Sequence, residues 1–148
     1  MARTEFIYVT YIRTTREKLW EALTSSEFTK QYWAQLESDW RPGSSWKLTF
    51  ADGRTADAGE VLESDPPRRL VLKWRNEFRP ELKADGYTLC TFEVEREGEM
   101  VRLTVSHEAE RPHKLIEAVS QGWPRVLSSL KSLLETDRGL PRIEAPPR

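Results

Sequence analysis

A chain of 148 residues, 38% hydrophobic and 32% charged, is long enough for one domain with a real core. Its net charge of −1, from 23 basic and 24 acidic residues, removes the bulk electrostatic case for nucleic acid or an anionic membrane as partner. No apolar run approaches the roughly 18 residues of a membrane span, the single Cys90 rules out an internal disulfide and a multi-cysteine metal site, and the stretch from Met1 to Phe6 lacks a signal-peptide core, so a cytoplasmic location is expected.

Glu5 to Ile12 is almost wholly β-branched and aromatic and predicts a strand with two fairly apolar faces. Thr14 and Glu17 have capping-box spacing ahead of a short amphipathic helix through Leu19, Trp20, Ala22 and Leu23. Thr24 and Glu27 repeat the box, and a second short helix is expected from Glu27 to Trp33. From Glu37 the period changes to two. Ser38 to Trp40 predicts a short strand, and Arg41-Pro42-Gly43 a type II turn. Trp46, Leu48 and Phe50 alternate with Ser45, Lys47 and Thr49 in a half-buried strand, closed by the hairpin signal Asp52-Gly53.

The alanine-rich stretch from Thr55 to Gly59 leads into Glu60 to Ser64, and Asp65-Pro66-Pro67-Arg68 must turn, because successive prolines cannot join a ladder. Arg69 to Trp74, Tyr87 to Glu95 and Val101 to His107 are further strands, and Arg75 to Gly86 is expected to be a loop. The helical region begins near His113. Its apolar stripe runs through Ile116, Val119, Trp123, Val126, Leu130 and Leu133, widened by Leu115, Leu127 and Leu134. Because proline is tolerated in a first helical turn but costs about 3 kcal/mol in an interior, Pro124 predicts a break near Gly122 and a main helix from Trp123 to Thr136. Gly139 and Pro141 are expected to stop it. The reading is one domain over residues 1–141 and a frayed, proline-rich tail at 142–148.

Hairpin connections imply an antiparallel sheet, and a helix of that length spans about four strands. The expected fold is α+β, a curved sheet of about six or seven strands gripping the last helix, with two short helices after the first strand. This order is similar to that of a known family. Leu19-Trp20-Glu21-Ala22-Leu23-Thr24, Arg41-Pro42-Gly43-Ser44 followed by Trp46, Gly59-Glu60-Val61 through Asp65-Pro66-Pro67-Arg68-Arg69-Leu70-Val71-Leu72-Lys73-Trp74, and Gly122-Trp123-Pro124 with Val126 to Thr136 carry the likeness. Together they resemble the bacterial homologues of the C-terminal domain of the activator of the 90-kDa heat-shock-protein ATPase, in the START-like or SRPBCC superfamily with its helix-grip (Bet v 1-like) fold. The resemblance implies an apolar cavity between sheet and helix that holds a small molecule, with no cofactor and with a homodimer left open. The eukaryotic activator has a further N-terminal domain. A first strand at Glu5 leaves no room for one, so a chaperone partner is not favoured.

The residues expected to line that cavity are Trp33, Trp46, Trp74, Phe92, His107, Trp123 and Leu127. Indoles either fill a core or stack on a flat ligand with their N–H groups orienting it. His107 shares a strand face with Val101, Leu103 and Val105 and points inward, as an edge-of-core histidine or a ligand anchor. His113 is expected at the surface. Two histidines are too few for a catalytic zinc. Asp39 and Glu60 are the acids considered for the cavity, with solvated strand positions the simpler reading. Asp52-Gly53 with Asp57 lacks calcium-loop spacing. The basic group Arg68, Arg69, Lys73, Arg75 and Arg79 is either a solvated surface or a carboxylate trap at the cavity mouth, and Cys90 belongs to the core. The leading expectation is a small-molecule binder. The alternatives are a cyclase- or dehydratase-type enzyme using His107 or a nearby acid, and a chaperone-activator-like interaction module, which would show an exposed apolar patch and no sizeable cavity.

Overall fold

Period-two alternation and tight turns produce one antiparallel sheet in the computed structural model, which describes residues 3–141. The predicted tail at 142–148 lies outside the described residues. In chain order the elements are β1 Thr4–Ile12, α1 Arg16–Thr24, α2 Ser26–Thr29, β2 Gln35–Ser38, β3 Ser45–Thr49, β4 Thr55–Asp65, β5 Arg69–Asn76, α3 Pro80–Ala84, β6 Thr88–Glu97, β7 Met100–Ala109 and α4 Lys114–Thr136. The seven strands lie in the order β1-β7-β6-β5-β4-β3-β2. Strands β2 to β7 therefore form a meander, and β1 returns to pair with β7. Alternate residues of β3 to β7 point toward α4 and form the core, including Trp46, Val61, Leu72, Trp74, Cys90, Phe92, Leu103 and Val105.

Several local expectations are corrected. Thr15, not Thr14, caps α1, its hydroxyl accepting from Lys18 N at 3.1 Å. The second helix ends at Thr29, so Trp33 lies in the irregular segment beyond it. β2 starts earlier than expected, and Trp40 sits outside it at φ 57°. The stretch from Arg75 to Gly86 contains the end of β5 and the short α3, with Pro80 in its first turn.

The largest correction is α4, which runs unbroken through Gly122 and Pro124. Pro124 forfeits one backbone hydrogen bond. The apolar stripe, however, is buried on both sides of it, at Leu115 and Ile116 before and Val126, Leu127, Leu130 and Leu133 after. A break would lift one half off the sheet, and tertiary packing overrides the local preference. The helix ends at Asp137, which takes the left-handed φ of 65°. Gly139 lies beyond the helix, folded close to Gln31 and Ser129. Ser129 is buried and accepts from Leu140 N at 3.0 Å.

Gly59 permits one close approach. The Trp46 indole crosses β4 there and donates to the Lys73 carbonyl of β5 at 3.0 Å. A Cβ on Gly59 would stand 1.7 Å from that carbonyl oxygen. A Cβ on Gly122 would meet nothing within 4 Å. The two glycines therefore predict opposite signs. Gly122→Ala raises the urea unfolding free energy by about 0.5–1 kcal/mol, whereas Gly59→Ala lowers it by at least ~2 kcal/mol.

Candidate functional site

Strand parity brings the site together. β5 turns Trp74 and Asn76 inward, β6 turns Thr88 and Phe92, and β7 turns His107, while α4 lowers Trp123 onto them from above. Trp74 is the hub. Its ring centroid lies 4.5 Å from Trp46, 5.3 Å from His107, 5.7 Å from Trp123 and 6.2 Å from Trp33. Trp123 also meets Trp33 at 5.3 Å and Phe92 edge-on at 5.7 Å. Leu127 is buried one turn further along α4. The structure thus gathers the residues expected from the sequence.

The rings meet one another by edge and face contacts in the space between sheet and helix, and these contacts do not bear out a preformed pocket there. Depressions among the described residues include one of about 920 Å³, lined by Trp46 and Gly59 together with Asp39, Lys47, Glu60, Lys73 and Tyr87; Asp39 and Glu60 are exposed there, so those two acids are not interior. Another, about 550 Å³, lies between the start of β1 and the start of α4. The basic group is on the outer side of the sheet. Arg69 pairs with Glu63 and Glu93, Arg75 pairs with Glu77, and Lys73 and Arg75 stack on Tyr87.

His107 is fully buried, and its hydrogen bonds fix its tautomer. The Trp123 indole can only donate, and it donates to His107 Nδ1 at 3.3 Å. Nε2 therefore carries the proton and donates to Thr88 Oγ1 at 2.7 Å, and that hydroxyl donates to the Trp74 carbonyl at 3.2 Å. Protonating Nδ1 would leave two donors facing each other. Burial, with a smaller contribution from the charge of His113, pushes the His107 pKa down to about 3. His113 is not the surface residue expected. It is buried and caps α4, Nδ1 accepting from Leu115 N at 3.2 Å while Nε2 faces the Gly86 carbonyl at 3.2 Å.

The residue that the sequence reading missed is Asp57. It shares the inward face of β4 with Gly59 and Val61, and is buried beside Trp74. Its Oδ1 accepts from Trp74 Nε1 at 3.0 Å and from Asn76 Nδ2 at 3.3 Å. Burial outweighs these two donors and raises its pKa to about 7, with the Glu77 charge adding slightly. Counting parity back from Val61 finds it, but the Asp52-Gly53 turn and the alanines around it hide the alternation.

Among the described residues no group of three His, Cys, Asp or Glu converges as a metal site. None of their helices is long and apolar enough to cross a membrane. Burial raises the Cys90 thiol well above its ordinary pKa, as suits a core residue.

The fold and this cluster can now be set beside known proteins. Residues 13–135 match the family described as Activator of Hsp90 ATPase homolog 1-like protein. The chain belongs to this family. A search of curated proteins gives no match. Among solved structures, CalU16 from Micromonospora echinospora is similar at 20% identity and a TM-score of 0.74, over 90% of this chain and 77% of that one. The Aha1 dimer from Colwellia psychrerythraea is 19% identical with a TM-score of 0.75, over 92% and 99%. PFC0360w, an HSP90 activator from Plasmodium falciparum, is 20% identical with a TM-score of 0.71, over 88% and 95%. At these identities the likeness establishes the helix-grip fold shared by the family.

Two buried groups of the cluster, His107 and Asp57, pull stability in opposite directions with pH. Native His107 stays neutral down to about 3, whereas in the unfolded chain it protonates near 6.5, so its contribution is lost as pH falls from 6.5. Native Asp57 stays protonated up to about 7, whereas unfolded it ionises near 3.8, so its contribution is lost as pH rises from 3.8 toward 7. Between 3.8 and 6.5 the two slopes oppose each other. Asp57→Asn is expected to unmask a loss toward acid of up to ~1.4 kcal/mol per pH unit, and His107→Gln a loss toward neutral pH. Urea midpoints measured from pH 4 to 7 on the three proteins check the signs, with the pH range set by the same two groups.

Proposed function

We propose that this domain binds a flat, largely apolar small molecule in the space now filled by the aromatic cluster, and that Trp33 is the ring that gives way. The observation that carries the proposal is Asp57. A core built only for packing gains nothing from a carboxyl group buried among indoles, where an apolar side chain of similar size is often neutral or better. A carboxyl with a pKa raised to about 7 beside aromatic walls is the kind of polar anchor a ligand site keeps. Trp33 suits the moving part because it is half-buried and lies on the irregular segment between α2 and β2. Buried anchors flank it. Tyr32 Oη donates to the Ala22 carbonyl at 2.8 Å, and Leu36 N donates to Thr29 Oγ1 at 3.0 Å. Rotation of the Trp33 side chain would uncover the faces of Trp74 and Trp123, with Trp46, Phe92 and Leu127 as walls.

Catalysis by His107 is disfavoured, because both its ring nitrogens are engaged and its pKa lies far below neutrality. Asp57 is the better placed of the two to exchange a proton near pH 7. The second reading is a protein-interaction module. It is favoured by the closed ring cluster, by exposed Ile7, Val9 and Tyr11 on β1, and by the family's Hsp90-activator relatives. The Colwellia relative is a dimer, which makes a second copy of this chain a further partner to consider.

Native mass spectrometry of freshly purified protein is expected to reveal a co-purifying small molecule. Flat apolar probes are expected to quench the indole fluorescence saturably at one site. Trp33→Ala should raise the probe association rate by ~10-fold, while Asp57→Asn should erase any preference for probes bearing a hydroxyl or amine donor. Absence of a bound mass together with non-saturable quenching in both wild type and Trp33→Ala would transfer the assignment to the interaction module.

A further inference from the structure

The two edges of the sheet are built differently. β2 is four residues long and carries Glu37. β1 is nine residues long, contains no proline, and runs in unbroken register with β7 from Thr4 to Ile12. A long regular edge is a template for another strand unless it is blocked. The outer face of β1 presents Ile7, Val9 and Tyr11 at 52%, 45% and 42% exposure.

Among the described residues, helix α4 hydrogen-bonds only one end of this edge. Lys131 Nζ donates to the Tyr11 carbonyl at 2.6 Å, and Glu135 Oε2 accepts from Arg13 N at 2.8 Å, the two side chains being paired at 2.7 Å. The N–H and C=O of one strand residue point to the same side, so these bonds identify the odd-numbered residues of β1 as those facing outward from the sheet. Glu5, Ile7 and Val9 thus present backbone donors and acceptors at the edge, and none of the hydrogen bonds found among the described residues engages them.

We infer that β1 pairs antiparallel with β1 of a second copy of this chain about a two-fold axis at Ile7. In that register Ile7 meets Ile7, and Glu5 meets Val9, in hydrogen-bonded positions. All three open residues are used and neither capped group is needed. Phe6 then lies opposite Tyr8 of the second copy in the non-hydrogen-bonded positions, where side chains approach most closely. Both rings are only half-buried within one copy, and they stack at 6.4 Å. An axis at Val9 would need the Tyr11 carbonyl that Lys131 occupies. An axis at Glu5 would oppose two carboxylates and leave Val9 open. Among axes centred on a hydrogen-bonded pair, the edge is therefore self-complementary in one register, and this favours a second copy over an unrelated strand. The inference stands apart from the ligand reading, since it uses no residue of the aromatic cluster.

Edge pairing alone buries less than a standard interface, so the association is expected to be weak and concentration-dependent. Sedimentation velocity over a concentration series, joined to residue-resolved amide exchange on the full chain, tests it. The mass should rise toward that of a dimer, and the amides of Glu5, Ile7 and Val9 should gain protection with concentration, while those of Phe6 and Tyr8, bonded to β7, stay protected throughout. Ile7→Pro removes an N–H that faces solvent in the single copy, a position that tolerates proline, and should give a folded monomer. Ile7→Lys, which introduces no backbone change, places like charges at the axis and should weaken association by ~10-fold or more. Met100→Lys, at an exposed apolar site elsewhere, should leave it unchanged. A wild type that stays monomeric at its highest soluble concentration overturns the inference. So does a dimer in which Glu5, Ile7 and Val9 exchange at a constant rate, or one that Ile7→Lys leaves intact.

Discussion

One buried hydrogen bond, from the Trp123 indole to His107 Nδ1, sets the relation between helix and sheet. The apolar stripe of α4 drives burial, but apolar contact is non-directional and would tolerate sliding or rotation. An indole N–H sealed in a core must find an acceptor, because leaving it unpaired costs about 1–3 kcal/mol. His107 is that acceptor only while it is neutral and protonated on Nε2, and Thr88 holds it so. Thr88 in turn anchors to the Trp74 carbonyl, so the chain of bonds passes from α4 through β7 and β6 to β5. The helix is located by this chain, and the indoles around it are packed against a helix whose depth is already settled.

Asp57 works against the same background. It places a titratable carboxyl in the most aromatic part of the core, with two donors on one oxygen and no cation. Burial wins over those donors, as the raised pKa shows. Two ionisable groups in one cluster, one held far below neutrality and one brought up to it, give the interior a division of labour. His107 is committed to structure, and Asp57 remains available. That contrast is why the ligand reading rests on the aspartate rather than on the more conspicuous histidine.

Much of the fold was legible because each strand carries its own pattern. Trp46 and Leu48 alternate cleanly, Asp52-Gly53 and Pro66-Pro67 mark turns, and α4 shows a helical stripe. The inward placement of His107 followed from parity alone. Other features depend on distances that no local rule contains. Pro124 reads as a helix start until one knows that Leu115 and Ile116 are buried together with Leu127 and Leu130. Aromatic residues on facing surfaces are the same in sequence whether they enclose a space or fill it. The answer here depends on how deep Trp123 descends and on where the irregular segment after Thr29 delivers Trp33. Asp57 was hidden because its neighbours on β4, Ala56 and Ala58, are small and weakly patterned.

Helix α4 also decides what the sheet shows to the outside. Its buried side carries Trp123, and its flank carries Lys131 and Glu135, which close the Tyr11–Arg13 end of β1 and leave the Glu5–Val9 end open. Trp33 lies on the connection into β2, at the opposite edge of the strand order. The ring itself reaches Trp74 on β5, with β6 and β7 between that strand and β1. Coupling between that ring and the β1 edge can pass through α4, which meets the ring through Trp123 and the edge through Lys131 and Glu135, two and three turns later. A rigid, unbroken α4, continuous through Pro124, is what would make such coupling physically available.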